Sequence, residues 1–318
     1  MHVDLELLAA LEALIEPGTR GDPESALRCT CMSTQRLAEE LTERRHYVEA
    51  RTVASLLRQA GYSLQANRKP REGSYHPDCY VQFEYVNAQV KRRLRGGHPA
   101  ISADTKKKEL VSDSKNAGRE CRLRGQPQEV RIHDFQGAPQ GKAVPYGLYD
   151  VLNNQGWVSV EIDHDTAQFA SNAVRCSWSE MGRRRFLKAR SLLVTADGRD
   201  SNSSRYRLWK TSLQELADEL GLKTTVCHFP SGTSKWKKIE HRLFSFIMQN
   251  WRGQALASQQ SIVSLIASTT TKTGLVVKAA LDTTPYDKGI EVTDEELAIV
   301  RFAQHRFHRD WNYSILPK

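Results

Sequence analysis

Leu192-Leu-Val-Thr-Ala-Asp-Gly198 is the stretch from which the fold can be read. An apolar run that stops at an acidic residue, with a turn-forming glycine next, reads as a strand over Ser191 to Ala196 whose end presents Asp197. Helical patterns flank it, Thr166 to Met181 before and Arg205 to Leu220 after. Asp165 is the expected cap of the first, and Gly221 is the expected stop of the second. Farther out, strands are predicted at Ala100 to Asp104, Glu129 to Asp134, Tyr146 to Val151, Trp157 to Ile162 and Thr224 to His228, with another helix at Lys237 to Asn250. A run of strands followed by strands alternating with helices implies an α/β fold, a mixed sheet with helices packed on its faces.

Asp197 has two acidic counterparts. Asp104 ends a predicted strand in Ile101-Ser-Ala-Asp-Thr-Lys-Lys-Lys-Glu109, and Glu240 lies in a predicted helix in Ser234-Lys-Trp-Lys-Lys-Ile-Glu-His-Arg-Leu243. Phosphodiester chemistry needs charge neutralised on the phosphate, an oxygen nucleophile activated and a leaving oxygen stabilised. Two Mg²⁺ ions about 4 Å apart do all three, and carboxylates are their natural ligands. Strand ends and a crossing helix would hold three such ligands rigidly. Each residue also has a plain structural reading: Asp104 as an ion-pair partner of Lys106, Lys107 or Lys108, Asp197 as the start of a turn, Glu240 as a solvated residue beside the apolar stripe of Ile239, Leu243 and Ile247. The combination is what points to a metal-holding cluster.

Composition fits a nucleic-acid partner. Among 318 residues, 46 Lys and Arg outnumber 37 Asp and Glu, giving a formal charge of +9, and basic surfaces gain affinity by displacing counterions from phosphates. There is no long apolar run and no secretory leader pattern, so no membrane role is expected and a cytoplasmic, nucleoid-associated location is. The six cysteines are scattered, and the single close pair, Cys29 and Cys31, lacks zinc-knuckle spacing.

The first third is helical. Leu5, Leu8, Ala9, Leu11, Leu14 and Ile15 recur at helical spacing up to a stop at Pro17-Gly18, and helices follow at Thr34 to Arg44 and at about Ala50 to Ala60. The last carries Arg51, Thr52, Ser55 and Arg58 outward. The pair has the proportions of a helix-turn-helix and equally of a plain helical hairpin. Asn67 to Ser74 is a basic linker that places Arg68 and Lys69 where they would lie along a phosphate backbone. Residues 81–99 then read as a linker helix ending in Lys91-Arg-Arg-Leu-Arg95, a basic run suited either to the helix dipole or to DNA. The expected layout is a helical region over 1–80, the linker helix over 81–99, and a catalytic region with a C-terminal extension over 100–318. In that extension Ser258 to Ser268 reads as a helix, Leu275 to Leu281 as a strand, and Thr293-Asp-Glu-Glu296 as a capping box opening a helix to about Phe302. His305, Phe307, His308, Trp311 and Tyr313 make an aromatic end suited to packing or to base stacking.

Several strings make the chain similar to the DDE transposases of bacterial insertion sequences, and closely to the ISAzo, or Rhodopirellula-type, group. They are Ser63-Leu-Gln-Ala-Asn-Arg-Lys69, Asp104-Thr-Lys-Lys-Lys-Glu-Leu110, Gly141-Lys-Ala-Val-Pro-Tyr-Gly147, Cys227-His-Phe-Pro230, Lys238-Ile-Glu-His-Arg-Leu-Phe-Ser245, Asn250-Trp-Arg-Gly253 and Trp311-Asn-Tyr313. The resemblance implies an RNase H-like catalytic core preceded by a helix-turn-helix at Ser33 to Gly61. It also implies Asp104, Asp197 and Glu240 as the catalytic, metal-binding triad, Mg²⁺ as the cofactor with Mn²⁺ as its substitute, and double-stranded DNA, at element ends and target, as the substrate of a homo-oligomer. Strand cleavage and strand transfer are the implied reactions; a DNA-binding relic with impaired catalysis and a nuclease on the same core are the alternatives.

The chain also departs from the family pattern. It is expected to be shortened at its N-terminus. Gly198-Arg-Asp-Ser-Asn202 replaces a run of three glycines before Ser-Asn, which adds bulk at Arg199 and a further carboxylate at Asp200. Lys237 stands where Asn is usual, three residues before Glu240, with a charge that can pair with that carboxylate or touch DNA. Glu49 stands at an expected Ser helix cap.

Overall fold

The computed structural model describes residues 5–18, 33–62, 76–114, 116–119, 129–130, 141–162, 164–198, 200–230, 233 and 236–318. The chain divides into two compact units, Met1–Arg71 and Glu72–Lys318.

In the first unit three helices share one small core. They are α1 (Leu5–Gly18), α2 (Thr34–Glu43) and α3 (Ala50–Gln59). Leu11, Leu14, Leu37, Leu41 and Val53 form the core, at the helical spacing that their apolar periodicity requires. α1 continues through Pro17-Gly18 rather than stopping before it. Ser33 caps α2 by accepting from the Arg36 N–H, whereas Glu49 makes no side-chain cap at the start of α3. Arg51, Thr52, Ser55 and Arg58 are all exposed.

The second unit is built on a nine-stranded mixed sheet. After α4 (Cys79–Arg95) come β1 (Ala100–Thr105), β2 (Glu109–Leu110), β3 (Lys142–Asp150) and β4 (Gln155–Glu161). Then follow α5 (Ala167–Ser177), a π-helical turn at Trp178–Gly182, α6 (Arg183–Arg185), β5 (Ser191–Asp197), α7 (Arg207–Leu220) and β6 (Lys223–Phe229). The C-terminal part holds a second π-helical turn at Glu240–Phe244, α8 (Ser245–Asn250), α9 (Gln259–Ala267), β7 (Val276–Asp282), α10 (Asp294–Ala298), β8 (Phe302–Gln304) and β9 (Asn312–Ile315). The order across the sheet is β7-β4-β3-β1-β5-β6-β9-β8, with β2 paired to β3. At its centre β4, β3 and β1 are antiparallel neighbours while β5 and β6 run parallel to β1, the RNase H-like arrangement.

The period-two alternation of each strand sorts residues between two helical layers. Ile101, Ala103, Tyr146, Leu148, Leu192 and Val194 face α5 and α7, where Phe169, Trp209 and Leu213 complete the core. On the other face Tyr149, Val158 and Val160 meet Ile239, Leu243, Phe244 and Ile247 of the helix at 238–250, and Ala100, Leu193 and Cys227 meet Val86 of α4.

The helix read as a linker over 81–99 is thus part of this layer. Gln82 of α4 donates to the His228 carbonyl at 2.8 Å and exchanges two amide hydrogen bonds, each 2.9 Å, with Asn312. From the basic run, Arg93 donates to the Ser191 and Thr225 hydroxyls, which makes it a clamp between α4 and the sheet. The aromatic end is packing too: Tyr313 is fully buried, and Tyr85 hydrogen-bonds His305 and stacks near Phe307.

Other expectations are corrected. The capping box at Thr293 and Glu296 forms, but its helix ends at Ala298 and Phe302 begins β8. Thr166, not Asp165, caps α5 by accepting from the Phe169 N–H. Glu129 and Val130 lie in no strand, and the remainder of that run, with His133 and Asp134, falls outside the described residues. No described helix is long and apolar enough to cross a membrane.

Candidate active site

Asp104 and Asp197 end neighbouring strands. β1 and β5 are parallel with Ser102 beside Thr195, and continuing that register by two residues sets Asp104 beside Asp197. Strand parity turns both carboxylates to the face covered by the helix that carries Glu240. Two glycines admit that helix. A Cβ on Gly147, directly across from Asp104, would lie 2.5 Å from the Phe244 ring, and one on Gly156 would lie 2.6 Å from Leu243. The helix start is tied down where the Ile239 N–H donates to the Ser102 hydroxyl at 3.4 Å.

The three carboxylates converge on one atom. Lys237 Nζ lies 2.5 Å from Asp104 Oδ2, 3.0 Å from Asp197 Oδ2 and 4.0 Å from Glu240 Oε1. Asp104 and Lys237 are each only 4% exposed, while the Glu240 side chain is 36% exposed, so the cluster is deep on one side and open on the other. Lys237 hydrogen-bonds Asp197 and forms a close ion pair with Asp104. Asp197 Oδ1 is buried with no hydrogen-bond partner among the described residues.

Burial pushes the Asp104 carboxyl up to about 7, and the nearby charges of Glu240 and Asp197 add to this while Lys237 offsets part of it. For Lys237, burial by itself favours the neutral amine, but Asp104 and Asp197 more than reverse that and hold its pKa above the ordinary lysine value. The ammonium is therefore charged and captive.

Around the cluster lies a supporting shell that strand and helix patterns did not reveal. His228 is fully buried: Nδ1–H donates to the Asp197 carbonyl at 3.0 Å, which leaves Nε2 to accept from the Tyr313 hydroxyl at 3.1 Å. Burial lowers its pKa to about 4, so the ring is a neutral brace for the end of β5. Lys106 does not reach Asp104. It pairs with Glu109 at 2.5 Å and sits 4.1 Å from the centre of the Trp251 ring. The Thr105 hydroxyl donates to Asp165 at 2.8 Å, which gives that residue a clasping role at the end of β1. The one sequence signal for this shell lay in the family-like strings, since His228, Asn312, Tyr313 and Trp251 all belong to them.

A groove of about 860 Å³ opens beside Thr166 and the start of α7, lined in part by Lys108, Arg205, Arg207 and Lys288. In the first unit Arg51, Thr52, Ser55 and Arg58 share an exposed face, whereas Arg68 and Lys69 fall outside the described residues, as does Arg199. Among the described residues no group of three His, Cys, Asp or Glu side chains is set to hold a metal ion directly. That agrees with the geometry above, because the point where the carboxylates meet is taken by Lys237.

A sheet of this order with strand-end carboxylates facing a helical glutamate defines the class of RNase H-like phosphoryl-transfer proteins. Residues 10–317 match the family described as Rhodopirellula transposase DDE domain, and the chain belongs to that family of DNA transposases. Among solved structures it is similar at 15% identity to the Mos1 transposase paired-end complex with left transposon end, covering 80% of this chain and 68% of that chain with a TM-score of 0.41. The Mos1 strand transfer complex gives 15% identity, 80% and 67% coverage and a TM-score of 0.43. The Mos1 mariner paired-end complex with Mn gives 15% identity, 80% and 68% coverage and 0.42. No curated protein matches the chain.

Proposed function

We propose that this transposase cleaves and transfers DNA strands with Asp104, Asp197 and Glu240 as its catalytic carboxylates and Mg²⁺, or Mn²⁺ in its place, as the cofactor they hold. The observation that carries the reading is the convergence of all three on a single cation position. Hard oxygen donors, one of them a buried Asp197 oxygen without a partner, suit a divalent ion. When bound, such ions neutralise phosphate charge and activate the attacking oxygen.

The protein's own contribution is placement. β1 and β5 fix the two aspartates side by side, His228 braces the Asp197 backbone, and the glycine-admitted helix brings Glu240 in from the open side. The groove beside Thr166 has a mixed lining, in which Lys108, Arg205 and Lys288 are the cations suited to a phosphate backbone and Asp165, Asp287 and Glu291 the acids. In the first unit we assign α2 and α3 as a helix-turn-helix, with Arg51, Thr52, Ser55 and Arg58 facing the duplex and Arg68 and Lys69 following its backbone. Residues 1–80 are then the DNA-binding region and 100–318 the catalytic region, acting in the cytoplasm at the nucleoid as a homo-oligomer that joins two element ends.

The test is nicking of duplex DNA that carries the element's ends, in Mg²⁺ and in EDTA. Cleavage is expected in Mg²⁺ alone and is expected to vanish in Asp104→Asn. Duplex binding with no metal-dependent nicking refutes the catalytic reading, and nicking without joining to a target duplex reduces it to a nuclease.

A further inference from the structure

We infer that Lys237 is a tethered counterion that occupies the carboxylate centre in place of a divalent cation, so that metal binds only as the ammonium is displaced. Three facts carry this. Nζ is nearly enclosed, and it lies within 4.0 Å of an oxygen of each of Asp104, Asp197 and Glu240. It pairs with both aspartates at once, 2.5 Å from an oxygen of Asp104 and 3.0 Å from one of Asp197. Finally, the pairs with the two aspartates place the charge between the strand ends themselves, beside the carboxylates that would hold a divalent ion.

The neighbouring Lys106 does not play this part, because it is engaged by Glu109 and Trp251. Lys237 immediately precedes the helix that carries Glu240, so an outward swing of its side chain would vacate the centre while the aspartates stay on their strands and Glu240 on its helix. The consequence is a centre whose negative charge is partly offset without metal, and whose apparent metal affinity is lowered by the work of expelling the ammonium. The same swing would carry the ammonium toward the open side, where a phosphate of the duplex can receive it.

This rests on the carboxylates being the metal ligands, and the experiment separates the two claims. Mn²⁺ binding is measured calorimetrically for the full chain and for Lys237→Met, which keeps the stem and removes the charge. In parallel the wild-type lysines are labelled with an amine-reactive reagent, with and without Mn²⁺, and Lys237 is read by peptide mass spectrometry. The expected result is at least tenfold tighter Mn²⁺ binding by Lys237→Met, together with labelling of Lys237 that rises when Mn²⁺ is added. Equal affinity in both proteins, with labelling unchanged by metal, overturns the counterion role and leaves the metal site standing. No binding by either protein overturns both. If Lys237→Met does not fold without metal, the wild-type labelling decides alone: a rise supports the role and unchanged labelling overturns it.

Discussion

Replacing Gly147 with alanine tests whether the site depends on direct contact between the sheet and the helix that carries Glu240. The added Cβ would lie 2.5 and 2.8 Å from two atoms of the Phe244 ring and 2.9 Å from Ile239 Cδ1. Carbon atoms settle at about 3.5–4.0 Å, so the shortfall is about 1 Å. Phe244 and Ile239 are buried at 2% and 0% exposure, so neither can swing into solvent. The Phe244 ring, the Ile239 tip or the helix that carries them must give way inside a filled core. Overpacking of this kind costs about 1–3 kcal/mol, and a shift of about 1 Å at a catalytic group costs about 100-fold in rate. All six tryptophans lie in the second unit, so urea unfolding followed by tryptophan fluorescence reports on that unit alone. Phe244→Leu supplies the control: it makes room beside the new methyl, and the two changes should couple favourably by about 1 kcal/mol or more. A Gly147→Ala protein as stable as wild type to within about 0.5 kcal/mol, with no coupling to Phe244→Leu, would refute the contact argument, since surface-like neutrality is incompatible with a filled interface.

The His228 brace makes a pH prediction. Its folded pKa of about 4 lies below the ordinary 6.5, so the unfolded chain takes up the proton first; the neutral ring's contribution is complete above pH 6.5 and is lost as pH falls toward 4, by up to about 3 kcal/mol. His228→Gln should flatten that part of the stability-against-pH curve, and an unchanged slope counts against the brace. Gln82→Leu should cost about 1–3 kcal/mol in urea unfolding by stranding the buried Asn312 Oδ1, while the Asn312 amide N–H keeps the Phe307 carbonyl; a neutral result would mean that water satisfies that oxygen. Arg51→Ala and Arg58→Ala should each weaken duplex binding and lower the slope of log affinity against log salt by about one; filter binding with an unaltered slope would remove α3 from the DNA interface.

The strand-end aspartates were legible because an apolar run has to pair inside a sheet, and an acid at its end has to sit at the sheet's rim. Leu192 to Asp197 and Ile101 to Asp104 follow that rule closely. The residues that assemble the rim were less visible. Gly147 and Gly156 read locally as weak points in strands, and only the helix pressed against them explains their absent side chains. β9 is four residues long and pairs with β6 from the far end of the chain, a non-local contact that no window of sequence contains. It matters to the site because it brings Tyr313 to His228 and Asn312 to Gln82. Similarly, Arg93 sat in a run of exposed-looking basic residues, and only the third dimension shows which one turns inward.

Lys237 was visible as an unusual residue three positions before Glu240, with a charge read as pairing with that glutamate or touching DNA. In the structure Asp104 and Asp197 are nearer, and Glu240 is the most distant partner. The reason is burial. A charge close to the deep strand ends gains more from opposite charges there than from a half-open glutamate, because water screens the latter. By the same argument, two aspartates on a buried rim raise the cost of ionising each other and need a proton or a cation between them. In this chain a lysine covalently attached to the Glu240 helix meets that requirement, so a carboxylate centre of the kind that holds metal is compatible with a fold complete before any metal arrives.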